Sequence, residues 1–113
     1  MITIDSNITS QIQKWVDQKK LLEKTVDNFW NCFSNCKNDD PEEFRLDFGD
    51  GDETFISLVD PSMALVIYPD HYGNKDFTYF SIRYIVEYKG QCKGSYRAMY
   101  DLDGECFDDV WSS

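Results

Sequence analysis

FTYFSIRYIVEYKGQCKGSYRAMY, residues 77–100, decides the fold. Its period is two. Phe80, Ile82, Tyr84, Val86 and Tyr88 alternate with Tyr79, Ser81, Arg83, Ile85 and Glu87. Successive side chains of a strand point to opposite faces, so Phe77 to Tyr88 reads as a long strand with one apolar face. Lys89-Gly90-Gln91 turns the chain, and Cys92 to Tyr100 returns with Cys92, Tyr96, Ala98 and Tyr100 on one face. A connection this short requires antiparallel pairing.

Downstream, Asp101-Leu102-Asp103-Gly104 reads as another tight turn and Glu105 to Trp111 as a short closing strand. Upstream, Pro69-Asp70-His71-Tyr72-Gly73-Asn74 is the longest loop. Met63 to Tyr68 is an unbroken apolar run, the pattern of a central strand buried on both faces. Asp60-Pro61-Ser62 reads as a turn and Thr54 to Val59 as a strand. Gly49-Asp50-Gly51-Asp52 reads as a hairpin turn, because glycine tolerates positive φ. Phe44, Leu46 and Phe48 alternate with charged residues and predict a first strand.

Ahead of Pro41 the period is helical. Ile8, Ile12, Trp15, Leu22, Val26, Phe29, Phe33 and Cys36 form one stripe, interrupted only at Lys19. A single helix through all of them would run roughly 40 Å. That is long for a domain of 113 residues, so a break is expected around Asp17–Lys20. The stripe must be buried against something, and the sheet is the one large element available. The expected architecture is therefore α+β in a single domain: helical over 7–38, then a five- to six-stranded antiparallel β-meander over 43–111. This outline resembles the cystatin-like folds, a likeness of fold that carries no function.

The formal net charge is −10, and it is unevenly placed. Residues 38–74 hold ten acids against the single base Arg45, and residues 98–113 hold five acids and no base. The helix is near neutral and residues 75–97 are mildly basic. Such a surface repels nucleic acid and anionic membranes and attracts basic proteins. No signal peptide and no apolar run long enough for a membrane span is visible, which predicts a cytoplasmic protein.

Motifs for catalysis or cofactors are missing. Neither Asp47–Glu53 nor Asp101–Asp109 fits a calcium loop. The four cysteines, Cys32, Cys36, Cys92 and Cys106, lack tight zinc spacing and read as buried structural thiols. His71 has no partner in the sequence that makes it catalytic. No catalytic residue, metal or cofactor is expected.

The acidic runs on a compact domain, beside tyrosines that suit binding surfaces, resemble in general character the small acidic immunity proteins of bacterial toxin–immunity and contact-dependent inhibition systems. That resemblance implies a basic protein partner, a toxin domain such as a nuclease, met by carboxylates that steer association. The candidate contact residues are Asp47, Asp50, Asp52 and Glu53 on the first hairpin, Asp101, Asp103 and Glu105, and Tyr72 and Tyr79. The alternatives are a phage or mobile-element inhibitor carrying the charge of DNA, and a small-molecule binder or enzyme with a deep pocket near His71.

Overall fold

The computed structural model describes residues 6–49, 53–71 and 77–113. Three helices precede the sheet: α1 (Ser6–Lys19), α2 (Leu21–Asp39) and α3 (Pro41–Phe48). Four strands follow: β1 (Ile56–Ile67), β2 (Thr78–Tyr88), β3 (Gln91–Tyr100) and β4 (Cys106–Ser112). They form one antiparallel meander in the order β1-β2-β3-β4, with β1 and β4 at the edges. The α+β class is as expected; the described residues form four strands rather than five or six.

The helical stripe breaks inside the expected window. Lys20 takes left-handed backbone angles, φ 54° and ψ 44°, and separates α1 from α2. The break also changes the phase of burial. In α2 the buried line is Leu21, Thr25, Phe29 and Phe33, with Leu22 and Val26 only partly covered.

The first predicted strand is the helix α3. Asp40 caps it, its Oδ1 accepting from the Glu43 amide at 3.2 Å. Pro41 stands at its start, and Glu42 and Glu43 fill its first turn, where carboxylates favour the helix dipole. Phe44 and Phe48, read as neighbours of period two, are also four apart. They share the buried side of α3 and leave Leu46 83% exposed.

The expected turn at Asp60-Pro61-Ser62 is a β-bulge inside the single strand β1. Pairing steps from Val59↔Ile85 to Ser62↔Arg83, with Asp60 at φ 51°. Pro61 lacks an N–H and is accommodated because a bulge on an edge strand needs no donor there. Met63 to Ile67 is consequently not central. A meander puts its first strand at the edge, and Met63, Leu65 and Ile67 remain nearly half exposed.

The strand β2 has the predicted facing. Phe80, Ile82, Tyr84, Val86 and Tyr88 are buried under the helices. In β3, Tyr96, Ala98 and Tyr100 join them. Cys92 does not: a bulge between Val86↔Gly94 and Glu87↔Cys92 pairs it with Glu87 on the opposite face.

The helical layer is pinned to the sheet by aromatic edges and one polar node. Trp15 meets Phe80 edge-on at 5.4 Å, and Phe29 meets Tyr96 at 5.6 Å. The Thr25 hydroxyl donates to the Leu21 carbonyl at 2.7 Å and lies 2.6 Å from the Tyr100 hydroxyl. Tyr100 also reaches the Leu21 carbonyl, at 3.3 Å. Thr25 and Tyr100 are both fully buried.

A buried hydroxyl that loses its partner costs about 1–3 kcal/mol. Thr25→Val and Tyr100→Phe, nearly isosteric, should each cost about 1–2 kcal/mol in urea unfolding. Because the two hydroxyls share one network, the double variant should lose less than the sum of the singles. Lys20→Gly should raise stability by up to about 1 kcal/mol, since only glycine adopts this backbone conformation freely.

Candidate partner-binding groove

A groove of about 800 Å³ lies between α2, α3 and the β4 edge. Its aromatic lining is Phe29, Phe33, Phe44, Phe48, Phe107 and Trp111, of which Phe107 is exposed and the first four are buried. These rings pack against one another: Phe33 meets Phe44 edge-on at 4.8 Å and Phe48 edge-on at 5.4 Å, and Phe48 lies tilted 5.5 Å from Trp111. Their spacing follows from two helices crossing at Asp40. Phe29 and Phe33 come from one face of α2, and Phe44 and Phe48 from the facing side of α3.

Five carboxylates line the same groove: Asp39, Asp40, Glu43, Asp108 and Asp109. The first three cluster where α2 ends and α3 begins. The last two sit on the β4 edge. Asp109 is held in place by the Tyr96 phenol, which donates to its Oδ2 at 2.7 Å. Burial, then this bond to Asp109, raises the titration of the Tyr96 phenol. Tyr96 therefore stays a neutral donor. Asp108 is oriented too, its Oδ1 accepting the Asp109 amide at 2.9 Å.

Three thiols complete the lining: Cys32, Cys36 and Cys106. Cys32 and Cys36 share one face of α2, as their spacing predicts, with sulfurs 3.9 Å apart. The expectation of buried thiols fails, because Cys36, Cys92 and Cys106 are exposed and Cys32 is only half-buried. Burial, the neighbouring Cys36 and then Asp109 push the Cys32 thiol up to about 12. A thiol held neutral in this way is a poor nucleophile and a poor metal ligand. Among the described residues, no three His, Cys, Asp or Glu side chains are placed to hold a metal ion.

The residues picked from sequence are dispersed. Glu53 is exposed in a short 3₁₀ turn before β1. Asp101, Asp103 and Glu105 lie beyond the other end of the sheet, in the β3–β4 turn. There Asp101 Oδ1 accepts the amides of Asp103 and Glu105 at 2.9 and 3.0 Å, so this carboxylate organises its own turn. Tyr79 is half-buried on the uncovered face of the sheet, its ring 5.6 Å from Phe107. Asp50, Asp52 and Tyr72 lie outside the described residues, and Asp47 is described only as a backbone position of α3. Of the described candidates, Glu53, Asp101, Asp103, Glu105 and Tyr79, none lines the groove. The acids that do line it stood in the same two acidic runs. Asp40-Pro41-Glu42-Glu43, a helix-start signature, was the signal that could have separated them.

The expected pocket near His71 falls at a side chain outside the described residues. The space between helices and sheet is filled by Phe29, Phe33, Phe80, Ile82, Val86 and Tyr96. Among the described residues, no helix is long and apolar enough to cross a membrane.

No family model, no curated protein and no solved structure matches the chain. The cystatin-like outline accordingly has no structural relative behind it.

The Cys32 thiol titrates near 9.0 when solvated and about 12 here. A raised value means that the folded state holds the proton more tightly. The stabilisation is complete below pH 9.0 and is lost as pH rises toward about 12. Unfolding midpoints should hold below that window and fall within it. Cys32→Ser, which cannot ionise there, should fall less steeply over the same range.

Proposed function

We propose that this chain is a small acidic protein-binding inhibitor, an immunity protein that neutralises a basic toxin by occluding its active site. The observation that carries the reading is the groove itself, which five carboxylates and a cluster of aromatic rings line together. A ring of carboxylates alone is what any acidic protein offers. A carboxylate rim over an apolar floor fits a partner segment that presents lysine or arginine beside apolar side chains. Arginine is suited to both parts, since its guanidinium forks onto carboxylates and stacks on rings.

The two parts act at different steps. The rim and the net charge of −10 steer a cationic partner and raise its association rate. Desolvated contact with the exposed Phe107 and the half-buried Trp111 then slows release. The active sites of nucleases are basic because their substrate is anionic, so a carboxylate-rimmed surface competes for the same cations that hold phosphate.

Asp39→Asn, Asp40→Asn, Glu43→Gln and Asp108→Asn together keep the Asp40 cap and the aromatic floor while removing four charges. Affinity capture from the native organism, with wild type and this variant, should recover a basic enzyme with the wild type only. Stoichiometric wild-type chain should quench that enzyme. The variant's association rate should be about tenfold or more slower, with a shallower salt dependence. Equal capture by both proteins, or an enzyme whose activity is untouched, would sink the reading.

A further inference from the structure

The other edge of the sheet carries a second surface. From Ser62 to Ile67 the outer backbone edge of β1 has no strand partner among the described residues. Exposed edges are usually guarded by charge, and β4 has Asp108 and Asp109 in that role. The stretch 61–69, PSMALVIYP, has no ionisable group except the phenol of Tyr68. Its one guard, the Asp60–Pro61 bulge, protects only the strand's first half.

The apolar side chains here are also half out of a core. Met63 and Leu65 pair with Ile82 and Phe80, which places them on the helix side of the sheet. Yet both are 48% exposed, and Ile67 is 45% exposed. A small hollow of about 270 Å³ beside them is lined by Ile12, Trp15, Leu65, Phe80 and Leu102. Ile8, one turn before Ile12 on α1, continues that apolar row and is 51% exposed. The layer is that of a core whose next strand is missing.

The geometry points to a second copy of this chain as the occupant, its β1 pairing antiparallel with this β1 about a two-fold axis. An isologous pairing sets the same uncharged stretch against itself and joins two sheets into one of eight strands. A protein of charge −10 repels its own copies, and β1 is the strand edge where the least charge would be brought together. Area permits it. If Ile8, Met63, Leu65, Ile67 and Leu102 each give up on the order of 100 Å², two copies bury about 1,000 Å², the lower bound for a specific interface.

The test is sedimentation velocity on the full chain from low- to high-micromolar concentration, at low and high salt. A monomer–dimer equilibrium that tightens with salt is expected, because salt screens the repulsion between like-charged copies. This is opposite to the salt response of a basic partner in the acidic groove, so the two readings fail independently. Met63→Lys and Ile67→Lys should each weaken the dimer at least tenfold with native near-ultraviolet circular dichroism unchanged. Val110→Lys, on the uncovered sheet face, should leave it intact. A chain that stays monomeric throughout, or lysine variants that dimerise like wild type, overturns the proposal. So does a monomer whose β1 variants lose binding to a different protein, which would give the edge to that protein.

Discussion

The Thr25–Tyr100–Leu21 node sets the rotation of α2, and much of the molecule depends on that rotation. A helix on a sheet can roll with small change in buried apolar area, because apolar contact has no direction. Hydrogen bonds do. Two fully buried hydroxyls and one carbonyl must meet within a few tenths of an ångström, or a buried polar group is left unpaired. With α2 fixed in this way, Phe29 and Phe33 point down toward the sheet. Cys32, Cys36 and Asp39 face β4. The groove is the consequence: one wall is set by α2's angle, the other by β4.

Lys20 makes that placement possible. An unbroken helix would keep α1 and α2 on one stripe and carry the buried line through Leu22 and Val26. The left-handed residue resets the phase, so Leu21 and Thr25 go in instead. The break was legible from length and from the gap at Lys19. The new phase was not, because the stripe has apolar residues on both candidate lines and Thr25 carries no hydrophobic signal. Similarly, β2 and β3 were legible because strict alternation over eleven residues has one explanation. Phe44–Phe48 was ambiguous because five residues hold both a period-two triple and an i, i+4 pair. There the local start signal at Asp40-Pro41, and the partners Phe33 and Trp111 from distant sequence, decide for the helix.

The same difference between local and non-local information explains what was missed at the candidate site. Acidic blocks are visible in sequence, but their neighbours in space are not. Glu53 and Asp101–Glu105 lie toward opposite ends of the meander, since β2 and β3 run the length between them. Asp39 and Asp109 are seventy positions apart in the chain and line one groove. The strand order brings this about. A meander leaves its last strand at the edge farthest from its first, and α2 lies over β2 and β3, with Phe48 of α3 reaching Trp111 on that last strand.

Once the carboxylates are set in this way, their value lies in the work already done on them. Free carboxylates on a flexible loop must be ordered when a partner arrives, at a cost in conformational entropy of the segment and its side chains. Asp40 is committed to the α3 cap, Asp109 to the Tyr96 phenol and Asp108 to its neighbour's amide. Each keeps lone pairs for a cation while its position is fixed by the fold. The aromatic floor is equally committed, since Phe33, Phe44, Phe48 and Trp111 support one another. A prearranged surface loses little freedom on association, so more of its interaction energy is left to hold the partner. Five of the acids that look diffuse in composition thus meet, in this fold, at one place with a defined shape.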